Sequence, residues 1–147
     1  MLSGACSAEV EVAIQQCWEL IVDVERAPAW QRTLLSLVVV SRDDQGHARL
    51  CDTVSDARIT KVRCRVQMSY DGPRTLRWRL VESDDLDAME GSWVLEEFTP
   101  SRTRATYSLA VDPGPIGRFA RPLERLVRPA VIGHQADEFA RAIMSQP

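Results

Sequence analysis

The chain has 147 residues, 45% hydrophobic and 27% charged, which is the length of one globular domain and enough for a sizeable core. Its net charge of -3 holds nothing that draws it to nucleic acid or an anionic membrane, and Lys61 is the only lysine among its basic residues. Four cysteines without a Cys-x-x-Cys pair, beside two histidines, argue against a structural metal site and fit reduced thiols in a cytoplasmic protein.

In chain order, the AEVEV alternation predicts a short strand over Ala8–Val12. Ala13–Asp23 reads as an amphipathic helix burying Ile14, Trp18 and Ile21, and Glu25–Arg32 as a helical turn that Pro28 breaks ahead of Trp30. Strand patterns follow over Leu35–Arg42, His47–Val54, Ala57–Tyr70, Thr75–Glu82, Ala88–Phe98 and Thr103–Val111, separated by DDQG, YDGPR, ESDDLD and TPSR turns. The longest apolar run, TLLSLVVV, is too short to span a bilayer, so stable membrane insertion is not expected. After DPGPIG a long helix is predicted from near Pro122 to Met144, bent at Pro129. No linker or repeat divides the chain, which predicts a single domain over residues 1–147.

The strands alternate cleanly. Val62, Cys64, Val66, Met68 and Tyr70 share one face and Lys61, Arg63, Arg65 and Gln67 the other; Leu76, Trp78 and Leu80 oppose Arg77 and Arg79. An antiparallel sheet with one wet face needs a cover for its dry one, and the C-terminal helix is the element long enough, through Phe119, Leu123, Leu126, Val127, Ala130, Phe139 and Ile143. The arginines of the wet face are matched by Glu90 and Glu96 on the next strand, as on a solvated sheet surface, so they do not call for nucleic acid.

Strand, two short helices, a run of antiparallel strands and one long helix is the order of an α+β helix-grip fold, a curved antiparallel sheet wrapped around its C-terminal helix. The sequence resembles the polyketide cyclase/dehydrase and lipid-transport family of the START-like superfamily over nearly its whole length, through WELIVDVERAPAW, GPRTLRWRLVE, GSWVLEE and VDPGPIGRFARPL in that order. The resemblance implies a tunnel between sheet and helix for a small hydrophobic ligand such as a lipid, isoprenoid quinone or polyketide, with no cofactor.

Residues on or beside the inward face suit such a tunnel: Trp30, Met68, Tyr70, Trp78, Met89, Gly91, Trp93 and Tyr107, with Phe119, Leu123, Leu126, Val127 and Ala130 of the helix region. The same residue types also serve as plain core. Gly91 would leave room for a ring or a ligand, Trp30 would cap the tunnel or plug the core beneath its loop, Phe119 would act as a lid or be permanently buried, and Arg118 and Arg121 would meet an acidic head group at the rim. Binding or carriage is the expected function. The alternative is a cyclase or dehydratase using Tyr70, Tyr107 or His134, which the shortage of inward ionisable groups disfavours. The oligomeric state is not legible.

Overall fold

A computed structural model describes residues 2–56, 61–113 and 129–146, with side chains of the last segment from Ile132 onward. In chain order it runs β1 (Leu2–Val10), α1 (Ile14–Val22), a 3-10 turn (Val24–Arg26), α2 (Ala27–Trp30), β2 (Leu34–Arg42), β3 (Ala48–Asp56), β4 (Lys61–Asp71), β5 (Thr75–Glu82), β6 (Ala88–Thr99), β7 (Arg102–Asp112) and α3 (Pro129–Met144). The strands form one seven-stranded sheet in the order β1-β7-β6-β5-β4-β3-β2, antiparallel at every pairing. With α3 packed on β1 and β7, this is the helix-grip arrangement. No described helix is long and apolar enough to cross a membrane.

Side-chain alternation decides which face is core. Val62, Cys64, Val66 and Met68 of β4 are buried, as are Thr103, Ala105, Tyr107, Leu109 and Val111 of β7. Across β6, Trp93 and Leu95 join them. Each fully buried aliphatic side chain contributes about 1.5–3 kcal/mol relative to exposure. The opposite face is polar and ion-paired: Arg65 donates to both carboxylate oxygens of Asp52 at 2.8 and 3.1 Å, and Arg102 reaches Glu9 at 2.7 Å. The sheet register sets Arg79 against Glu90, and Arg104 between Glu96 and Glu9.

Three local features differ from the sequence reading. β1 begins at Leu2, six residues ahead of the predicted start, and ends at Val10, with Leu2, Gly4, Cys6 and Ala8 on its inward side. These mostly small side chains give little hydrophobic signal, yet they allow α3 close enough for the Cys6 thiol to donate to the Ile132 carbonyl at 2.7 Å. Pro28 does not break a helix. It lies in the first turn of α2, where its fixed φ is already helical and its missing N–H is no loss. The predicted start of the long helix near Pro122, its bend and Ala57 at the start of a strand lie wholly or partly outside the described residues.

Candidate functional site

Between the concave side of the sheet and the α2–α3 side lies a cavity of about 110 Å³. Its apolar walls come from β4 through β7: Val62, Val66, Met68, Leu76, Met89 and Leu109, with Trp78, Trp93 and Tyr107. From α2 comes Trp30. Toward β2 and β3 the wall is mixed, with Leu34 and Leu37 beside Gln31, Thr33, Thr53, Ser55 and, from α3, Gln135. For comparison, an engineered apolar cavity of roughly 150 Å³ takes up benzene, whereas drug-sized ligands occupy about 300–1,000 Å³. The space suits a single ring; a longer molecule needs its wall to give.

The lining rings pack contiguously, backed by Phe139 of α3. Trp93 packs against Tyr107 at 5.0 Å, Phe139 at 5.3 Å and Trp30 at 6.0 Å between centroids, and Trp30 meets Phe139 edge-on at 6.1 Å. Such offset and edge contacts stabilise by about 0.5–1.5 kcal/mol each beyond area burial. Trp78 reaches Tyr107 at 5.8 Å only because Gly91 lies opposite it on β6. A Cβ at Gly91 would come within 2.3 Å of the Trp78 indole. The space left by that missing side chain is therefore filled by the protein's own ring.

Polar groups at the other wall are mostly paired. Gln31 Nε2 donates to Gln135 Oε1 at 3.2 Å, and Gln135 Nε2 donates to the Thr33 hydroxyl at 2.5 Å. Next to them the buried Glu138 carboxylate accepts the Arg32 backbone N–H at 2.6 Å. This network ties the segment after α2 to α3. Trp30 is the exception: its indole N–H is buried and has no acceptor among the described residues.

Among the described lining residues none is Asp, Glu, Lys or Arg. Burial pushes the Tyr107 phenol well above its usual range, with Cys6 adding to the effect, so it remains a protonated hydroxyl. Burial also raises the Cys64 thiol against the opposing hydrogen bond with Ser83. Neither group serves as a base near neutral pH.

Of the residues singled out from the sequence, Trp30, Met68, Trp78, Met89, Trp93 and Tyr107 stand around this cavity, and Gly91 lies beneath the Trp78 ring. Tyr70 does not. It shares the inward face of β4 but lies beyond the cavity, where its hydroxyl donates to the Ala48 carbonyl at 2.6 Å and its ring meets His47 at 4.6 Å and Trp18 at 6.5 Å. His134 is exposed, because the buried stripe of α3 runs through Ile132, Gln135, Ala136, Phe139 and Ile143. Neither residue can act inside the cavity from these positions. Phe119, Leu123, Leu126 and Val127, with Arg118 and Arg121, lie outside the described residues, as does the side chain of Ala130.

The residues that sequence reasoning missed are the polar ones and, among the apolar ones, Ile21, Val24 and Ala27 of the helical segment, Leu34 and Leu37 of β2, and Val62, Cys64, Val66, Leu76 and Leu109 of the inner sheet face. Gln135 falls on the same three- and four-residue spacing as Ile132 and Phe139, and that spacing was the available signal for its burial. Gln31, Thr33, Thr53 and Ser55 carried none.

Solved structures share this architecture at low identity. A START superfamily protein from Mycobacterium smegmatis superposes with a TM-score of 0.79 at 14% identity, covering 97% of both chains. The Zhui aromatase/cyclase from Streptomyces sp. R1128 gives 0.79 at 12% identity, covering 97% of this chain and 93% of that one. A protein from Thermus thermophilus gives 0.80 at 19% identity, covering 97% of each. At these identities the likeness establishes the fold alone. No match was found among curated proteins. The family model described as polyketide cyclase/dehydrase and lipid transport matches residues 10–135, a span from the end of β1 into α3 that takes in the whole cavity wall described above, and the chain belongs to that family.

Proposed function

We propose that this protein binds and carries a small, uncharged hydrophobic ligand in the cavity between its sheet and C-terminal helix. The carrying observation is an aromatic- and thioether-lined space without a charged side chain among its described walls. Met68 and Met89 supply flexible, polarizable surface, and the rings supply flat faces. Excluding charge favours neutral guests, since an ion placed there would lose hydration with no countercharge in return. Native mass spectrometry of gently purified protein tests the reading. A bound neutral mass that added toluene displaces is expected; a bare protein that takes up no toluene would count against it.

A second reading, turnover of a polyketide-like substrate, has two observations in its favour. Tyr107 is a protonated hydroxyl beside the cavity, and the Zhui aromatase/cyclase shares the fold. In that reading the phenol would hydrogen-bond a substrate carbonyl and polarise it. Conversion of a model polyketide that disappears in Tyr107→Phe while binding persists would favour turnover over carriage.

A further inference from the structure

The cavity has two chemically different ends, and the one toward β3 holds hydroxyls that the fold leaves free. Thr53 and Ser55 lie on the inward face of β3, in alternation with the fully buried Cys51. The sheet register sets Thr53 opposite Cys64 and Ser55 opposite Val62, and all four line the cavity. Residues paired across antiparallel strands project to the same side of a sheet, so the Ser55 hydroxyl stands on the side that Val62 lines. Ser55 also pairs with Leu34, and the Asp56 N–H donates to the Thr33 carbonyl at 2.8 Å, which brings Thr33 beside it.

These three hydroxyls differ in what they have left to offer. Thr33 Oγ1 accepts from Gln135 Nε2 at 2.5 Å, so its own hydrogen is uncommitted. Thr53 reaches the Cys64 carbonyl only at 3.4 Å, longer than an ordinary hydroxyl hydrogen bond. The Ser55 side chain has no hydrogen-bond partner among the described residues. Nor is it sealed off: among those residues the Trp30 nitrogen alone is both unpaired and fully buried, so the Ser55 oxygen keeps accessible surface at a residue that lines the cavity.

We infer, resting on the binding reading above, that Ser55 and Thr33 form a hydrogen-bonding subsite, and that the guest is an uncharged single-ring molecule with a hydroxyl or carbonyl oxygen turned toward β3. Its ring would then face Met68, Trp93 and Tyr107. The volume of about 110 Å³ limits the guest to about one ring. The lack of charged side chains among the described lining residues disfavours carboxylates and amines. A hydrocarbon that displaced water from these hydroxyls would leave them unsatisfied, whereas a guest oxygen accepts from Thr33 and from Ser55 and restores their bonds.

The test compares phenol with toluene, which differ in carrying OH or CH3 on the same ring, by calorimetric titration at neutral pH, where phenol is uncharged. In an apolar cavity phenol is the poorer guest, because its hydroxyl gives up water for nothing. The native protein is expected to bind phenol at least as tightly as toluene. Ser55→Ala removes a side-chain oxygen that the described fold does not use, and should weaken phenol about tenfold, or about 1.4 kcal/mol, with toluene unchanged. Should that variant not fold, the native ratio of the two affinities decides. Phenol bound more weakly than toluene by the native protein, or an affinity ratio unchanged in Ser55→Ala, would overturn the inference while toluene uptake leaves the binding reading intact. Failure of both compounds to bind would overturn the binding reading together with it.

Discussion

Two aromatic clusters occupy the inward side of this sheet, and they differ in whether they border the cavity. At one end Tyr70, Trp18 and His47 pack together, and the Tyr70 hydroxyl is matched to the Ala48 carbonyl. At the other, Trp30, Trp93, Tyr107 and Trp78 surround a cavity, and the Trp30 N–H has no acceptor among the described residues. Met68 and Tyr70 lie two residues apart on the same face of the same strand, yet one lines the cavity and the other does not. The contrast teaches that an inward aromatic is not by itself a binding residue. Tyr70 is fixed by its bond to Ala48, whereas the rings at the other end border open space.

The largest effect is expected where the cavity's aromatic wall doubles as core. Phe139→Ala removes a ring with no solvent exposure that packs against both Trp30 and Trp93 and should destabilise by about 3–5 kcal/mol in chemical denaturation. The variant should also admit larger rings than the native cavity does. Gly91→Ala comes next. Its Cβ would collide with the Trp78 indole, so the ring must leave Tyr107, at about 1–3 kcal/mol for overpacking. A displaced Trp78 indole signal would report the movement directly. Tyr70→Phe then separates the two clusters. Losing the bond to Ala48 should destabilise by about 0.5–1.5 kcal/mol while leaving uptake of toluene unchanged. Weakened uptake would mean that the two ends are coupled.

The smallest effect belongs to the outer face. Hydrogen bonds from Arg65 hold the Asp52 carboxyl below its usual range, so the unfolded chain binds this proton more readily than the folded one. The pair's contribution is therefore present above the ordinary carboxylate pKa of about 4 and is lost as pH falls through the lower folded value. Both side chains are substantially exposed, so solvent screening keeps the effect small. Asp52→Asn should be slightly less stable than the native protein at neutral pH, with the gap closing in acid. A gap that widened in acid would contradict the assignment.

The sheet was legible because alternation repeats strand after strand; β4 through β7 follow the predicted segments closely in their described parts, and Val62, Cys64, Val66 and Met68 of β4 are buried as predicted. What alternation reports is the face of a side chain, not its position along the tunnel, and this is why Tyr70 was grouped with Met68. The early part of β1 was missed for a different reason. Ser3, Gly4, Ala5 and Cys6 are small or polar, and their strand conformation comes from pairing with β7 rather than from local preference. Nor could pattern reading find the polar wall, because Gln31 and Thr33 become buried only through contact with Gln135, about a hundred residues away in the chain.

The central claim, that the cavity rather than the Tyr70 end receives a hydrophobic guest, is tested most directly by the methionine methyl signals during a toluene titration. The chain has four methionines; Met68 and Met89 line the cavity, and Met144 is exposed at the far end of α3. Saturable shifts at Met68 and Met89, with Met144 and the His47 ring unmoved, are the predicted result. Still signals at both cavity methionines, or shifts confined to His47 and Tyr70, would contradict it.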